Sequence, residues 1–202
     1  MTYAPATHSS AIRSPAARSI VGFSGNITRP SRTRQLVAYL VGSVAERGGW
    51  ETSLFDVEDI GPSLGAARHA GQLDADGREV LRRIVAADIL VVGSPTYKGS
   101  YTGLFKHFLD LVDPASLRGK PVLLAATGGG QRHSLMIEHQ LRPLFGFFQA
   151  LTLPTGVYAA SDELGEAGPV SEDLRARSSQ AVEEALALLS LPSSVPASIA
   201  AE

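Results

Sequence analysis

Three short stretches of this chain gather residues of the kind that grip a small anionic or planar ligand. They are Ser24-Gly25-Asn26-Ile27-Thr28-Arg29-Pro30-Ser31-Arg32-Thr33, the segment Gly93 to Gly103, and Thr127-Gly128-Gly129-Gly130. The first is a turn dense in hydroxyls with interleaved arginines, just ahead of an apolar helical pattern. A helix start offers unpaired backbone N–H groups and a positive dipole end, and Ser31 and Thr33 add donors, so a phosphate can be held there without metal. An ordinary capped turn is the alternative. In the second stretch Pro95 stops a strand, Tyr97 offers an aromatic face, and glycines leave N–H groups reachable by a flat ligand. In the third, the missing side chains let backbone approach a ring closely, or simply leave the turn flexible. Neither G-x-G-x-x-G nor G-x-x-x-x-G-K-[ST] is present, which argues against dinucleotide-fold dehydrogenases, kinases and NTPases.

Other candidate groups are less promising. The chain has no cysteine, so thiolate nucleophiles, disulfides and thiolate metal ligands are excluded, and any redox work needs a bound cofactor. Lone helical histidines are more often structural or exposed than catalytic, and His69, His107, His133 and His139 are read that way. His133 and His139, six apart, fall on different helix faces and form no metal motif. Pro143 follows His139 by four residues and cannot donate to its carbonyl, so an irregularity is expected there: either a π-bulge or a proline kink.

From Arg18 onward, short apolar runs alternate with helically spaced stretches, the signature of βαβ units. Strands are expected at Ser19–Phe23, Trp50–Phe55, Asp88–Gly93, Pro121–Ala126 and Leu153–Tyr158. Helices are expected from Ser31 to Gly48-Gly49, at Leu73–Ala86, Tyr101–Val112, His133–Phe148 and Ser171–Leu189. The fold class is therefore α/β, a five-stranded parallel sheet with helices on both faces. In such a sheet ligands bind beyond the carboxyl ends of the strands, where the three loops fall. One domain is expected over residues 19–190, between tails at 1–18 and 191–202 read as disordered; the first is Arg/Ser/Ala-rich and acid-free. With 18 Lys+Arg against 20 Asp+Glu and a net charge of -2, there is no field favouring nucleic acid or an anionic membrane. No run approaches a membrane span, and a cytoplasmic location is expected.

The run Gly93-Ser94-Pro95-Thr96-Tyr97-Lys98-Gly99-Ser100-Tyr101-Thr102-Gly103-Leu104-Phe105-Lys106, with Ala126 to Gly130 and the His133–Phe148 segment, resembles the NAD(P)H-dependent FMN reductases. The likeness extends over about Ile20 to Tyr158 and is greatest to the reductase components of two-component alkanesulfonate and methanesulfonate monooxygenases. It implies a flavodoxin-like fold, FMN and NADPH or NADH as cofactors, and a partner monooxygenase that receives reduced flavin. It places the phosphate at Ser31, Arg32 and Thr33 with Ser24 and Asn26 in the same loop. The ring would lie against Pro95, Thr96, Tyr97 and Lys98, with Thr127, Gly128 and Gly129 at its polar edge. Relatives commonly carry Ser and Arg where this chain has Asn26 and Thr28, and Arg29 is the candidate substitute cation. Hydride transfer asks only for positioning, so no catalytic acid or base is assigned. In the similar alkanesulfonate reductases a tyrosine at the position of His139 accompanies a π-bulge at a subunit contact. A quinone or azo reductase retaining its flavin, or a flavodoxin-like electron carrier, are the other readings; a carrier is usually strongly acidic, unlike this chain. The apolar residues Leu141, Leu144, Phe145, Phe147 and Phe148 exceed one helix face and predict a homodimer or tetramer.

Overall fold

A computed structural model describes residues 18–190; the two expected tails lie outside the described residues except for Arg18. That residue is part of the fold: its carbonyl accepts from the Glu51 amide at 3.0 Å and its guanidinium sits 5.7 Å from the Trp50 ring.

The strands are β1 (Ser19–Ser24), β2 (Glu51–Asp56), β3 (Ile89–Pro95), β4 (Pro121–Gly128), β5 (Leu151–Thr152) and β6 (Val157–Ala160), all paired in parallel in the order β2-β1-β3-β4, with β5 and β6 both against β4. Residues along β3 are buried on both sides, so period-two alternation sends them into two cores. Ile89 and Val91 join Leu36, Val37, Leu40 and Val182 under α1 (Arg32–Gly48) and the C-terminal helix, while Leu90 and Val92 join Phe23, Phe105, Phe108 and Phe145 on the other face. Gly22 and Gly93 let α1 lie this close: a Cβ at Gly93 would stand 2.5 Å from Val37. The expected ligand-facing role of Gly93 is thus replaced by helix–sheet packing.

Most expected elements form, with shifted ends. After α1 come α2 (Val57–Ile60), α3 (Ala75–Ala86), α4 (Gly103–Asp110), α5 (Arg142–Phe147) and α6 (Glu172–Ser190). Helix α2 was not expected; Asp56 and Asp59 build a reciprocal capping box at its start. The fifth strand divides because Pro154 has no N–H to donate and Gly156 is pressed against Ile137, where a Cβ would come within 2.7 Å. The helix expected over His133–Phe148 breaks into a 3₁₀ turn (Gln131–His133), a π segment (Ile137–Leu141) and α5. The Arg142 amide donates to the Ile137 carbonyl, five residues back, and Pro143 has no amide to offer His139. A π segment, not a simple kink, is the outcome. Beyond β6 a two-strand hairpin, β7 (Leu164–Gly165) with β8 (Gly168–Pro169), was likewise not expected.

Candidate functional site

The strand order reverses between β1 and β3, and the loops leaving the carboxyl ends of β1, β3, β4 and β6 converge above that point. A cleft of about 170 Å³ there is lined by Arg32, Pro95, Thr96, Tyr97, Thr127, Gly128 and Gly129, together with Ala159, Ala160, Ser161 and Leu164. Three segments singled out from sequence therefore meet in one place. The fourth wall, Ala159 to Leu164, was missed, although the rule that selected the other loops applies equally to the loop after the last strand.

Helix α1 starts at the cleft. Ser31 is its N-cap, its Oγ accepting from the Arg34 amide at 3.3 Å, and Ser31 and Arg32 also line an adjoining cleft with Pro30 and Gln35. No acid occupies the first turn, so the positive end of the helix is not compensated from within. Arg32 is exposed, and its guanidinium is held by the Ser161 carbonyl, with no carboxylate partner among the described residues. Thr33 is buried and shares a 2.6 Å hydrogen bond with Thr127, which couples the first loop to the third.

Other members of the first loop are committed elsewhere. Asp56, fully buried at the end of β2, accepts from Arg29 Nε at 2.8 Å and Nη2 at 2.7 Å and from Asn26 Nδ2 at 3.1 Å, and is ion-paired with Arg34, whose Nε lies 3.0 Å away. Arg29 also pairs with Asp59 at 2.7 Å. Burial alone pushes the Asp56 carboxyl up, but Arg29, Asn26 and the Arg34 charge together hold it below the usual carboxylate range, and the Arg29 guanidinium is correspondingly raised. Arg29, the candidate substitute cation, is neutralised within the fold, and the amide nitrogen of Asn26 braces the loop. Ser24 lies beneath the surface with an unpaired Oγ; Asn26 Oδ1 and Thr96 Oγ1 are also buried without partners.

The β3 loop ends in a tight hairpin turn. Tyr97 and Ser100 exchange hydrogen bonds of 2.8 and 3.2 Å around Lys98 and Gly99, whose φ values are 53° and 86°, the left-handed pair of a type I′ turn. This displays Tyr97, 47% exposed, at the rim. Lys98, placed against the ring by the resemblance, is exposed at the turn tip and is not among the residues that line the cleft. Ser100 Oγ donates to Gln140 of the π segment at 3.0 Å. At the end of β4 the three glycines differ: a Cβ on Gly128 would lie 2.4 Å from the Tyr158 hydroxyl, while Gly129 and Gly130 face open space. Tyr158 donates to the Gly130 carbonyl at 2.6 Å, and burial raises its pKa. Among the described residues no group of acids and histidines could hold a metal. His107 Nε2 donates to the Leu64 carbonyl at 2.9 Å, away from the cleft, and His139 is exposed. No described helix is long and apolar enough to cross a membrane.

The chain matches the family model described as NADPH-dependent FMN reductase over residues 18–164. It is 46% identical over 169 residues to the FMN reductase (NADPH) of Pseudomonas aeruginosa, covering 84% of this chain and 91% of the relative. It is equally 46% identical to the NADH-dependent FMN reductase SfnF of Pseudomonas fluorescens, covering 84% and 90%. Among solved structures, the apo form of an NADH:FMN oxidoreductase (EMOB) superposes with a TM-score of 0.78 at 31% identity, covering 88% of this chain and 93% of the other. A flavodoxin, WrbA-like protein from Agrobacterium tumefaciens shares the fold at a TM-score of 0.57 and 19% identity, covering 85% and 97%.

Proposed function

The chain belongs to the NADPH-dependent FMN reductase family, and on that footing we propose that it passes reduced FMN to a partner monooxygenase, in sulfonate sulfur assimilation, from the cleft above β1, β3 and β4. It is an NAD(P)H-dependent FMN reductase with a flavodoxin-like fold. The observation that carries the site assignment is the convergence of Arg32, Thr96, Tyr97 and Gly129 on one cleft at the strand-order reversal.

The residues fit such a ligand. The N-terminus of α1 with Ser31, Arg32 and Thr33 offers backbone donors, hydroxyls and a cation without a carboxylate, suited to a phosphate dianion. Thr96 Oγ1 and Ser24 Oγ, buried and unpaired, are the polar atoms most in need of a partner. Tyr97 at the rim provides an aromatic face, and Gly129 lets backbone N–H approach a ring edge. Bound FMN supplies a hydride acceptor for the reduced nicotinamide. The chain's part is to stack, orient and exclude water, with no proton relay required of it.

Riboflavin, which lacks the phosphate, separates these roles. Ser31→Ala with Arg32→Ala should weaken FMN about 100-fold and leave riboflavin little changed; equal losses would remove the phosphate assignment. Rates that saturate with free FMN support release to a monooxygenase, whereas flavin that co-purifies and never saturates points to a retained prosthetic group and to the quinone or azo reductase reading. Self-association and a cytoplasmic location belong to the same proposal. Leu141, Phe145 and Phe148 are consumed by the core, so the expectation of a contact now rests on Phe147, 69% exposed, and Leu151, 51% exposed. Light scattering should give a mass above the 21.2 kDa of one chain.

A further inference from the structure

Glu163 is a buried carboxylate within the fourth wall of the cleft that does not itself line the cleft, and it is bonded to four separate parts of the chain. Its Oε2 accepts from the Ala160 amide at 2.9 Å and from Gln131 Nε2 at 2.8 Å; its Oε1 accepts from Arg177 at 2.9 Å and Ser171 Oγ at 3.1 Å. Its own amide donates to the Ala160 carbonyl at 3.1 Å. These bonds close a small loop, Ser161-Asp162, whose two polar arms reach across the cleft. The Ser161 carbonyl holds Arg32, and Ser161 Oγ donates to the Gly128 carbonyl at 3.2 Å. Gln131 directly follows the glycine segment. One carboxylate thus fastens the cation at the start of α1 and the glycine loop after β4 through a common strap.

We propose that Glu163 is a positioning residue of the flavin site, which sets the Arg32 guanidinium for the FMN phosphate by fixing the Ser161 carbonyl. This rests on the reading that Arg32 holds that phosphate. Charge at Glu163 matters because its four partners are all donors. Burial pushes its carboxyl up, yet the Ala160 amide, Arg177 and Ser171 outweigh that and keep it below the usual range. A neutral amide in its place turns an NH2 toward donors and leaves at least one of them unpaired.

The test is Glu163→Gln, alone and combined with Arg32→Ala, with FMN and riboflavin affinities measured by quenching of flavin fluorescence. E163Q should weaken FMN about tenfold and riboflavin by less than about twofold. In the Arg32→Ala background it should add nothing, because the two act through one contact. In the flavin-free protein the Arg32 Nε–H resonance should shift in E163Q. Equal losses for both flavins, full additivity with Arg32→Ala, or an unmoved Arg32 resonance would each overturn the proposal. If Arg32→Ala alone leaves FMN affinity intact, the phosphate reading fails, and the Arg32 resonance alone then decides whether Glu163 positions that side chain. Gln131→Ala, an exposed change that removes a single bond to Glu163, guards against loss of folding; it should shift the same resonance and weaken FMN about threefold, and no shift there counts against the proposal.

Discussion

Two buried carboxylates, Asp56 at the end of β2 and Glu163 just past β6, brace the cleft from opposite sides, and they leave the nearby arginines in opposite states. Asp56 binds Arg29 bidentately and draws in Arg34, so one cation of the first loop and one of the first turn of α1 are neutralised. Glu163 is satisfied by an amide, a carboxamide, a hydroxyl and the distant Arg177, and reaches the ligand side through Gln131 and the loop that follows Ala160. Arg32 lies between them and keeps a carbonyl as its partner. Arg29 and Arg32 are three residues apart and chemically identical; what sets the cation proposed for the phosphate apart from the structural one is that it meets no carboxylate.

The strongest test of that contrast is Asp56→Asn. It leaves Arg29 and Arg34 facing a neutral group in a buried setting and should lower stability by about 2–3 kcal/mol in urea denaturation, moderated by the partial exposure of both arginines. A loss below about 1 kcal/mol would reduce Asp56 to an incidental contact. Arg29→Ala and Arg32→Ala should then diverge. The first should lower the melting temperature with little direct effect on FMN; the second should weaken FMN about tenfold at nearly unchanged stability. If both weaken FMN equally, the carboxylate has not removed Arg29 from ligand binding.

Acid sharpens the same point. Asp56 has a folded pKa below its unfolded one, so its contribution is present above the ordinary carboxylate range, near pH 4, and is lost as pH falls through the lowered value. Wild type should lose stability between about pH 4 and 2 more steeply than Asp56→Asn, measured by chemical denaturation at each pH. The smallest expected effect lies beside the Glu163 strap. Gly128→Ala must displace the Tyr158 hydroxyl and its bond to Gly130, costing about 1–2 kcal/mol, whereas Gly129→Ala should be near neutral for melting and act only on flavin affinity. Equal melting losses would show that the glycine run is one uniform structural turn.

The chain's own order of residues determined the doubly wound class, because apolar runs such as Ile89 to Val92 have one way to be buried on both faces, and it located the three loops, since strand ends are marked by Pro95 and the Gly128–Gly130 run. The missing amide of Pro143 likewise announced a break near His139. Local chemistry could not choose between a kink and the observed π segment, which depends on packing of Ile137 and Leu141 into the core. Nor could it assign Arg29, Arg32 or Asn26, because their partners Asp56 and Ser161 lie 27 and 129 residues away from Arg29 and Arg32. Gly93 reads as a ligand-facing glycine until α1 is laid against it. Glu163 carries no sequence signal at all, and only folding gathers Ala160, Gln131, Ser171 and Arg177 around it. Backbone periodicity is a short-range property and survives in sequence; the pairing of charges is a long-range competition that is settled only when the chain closes.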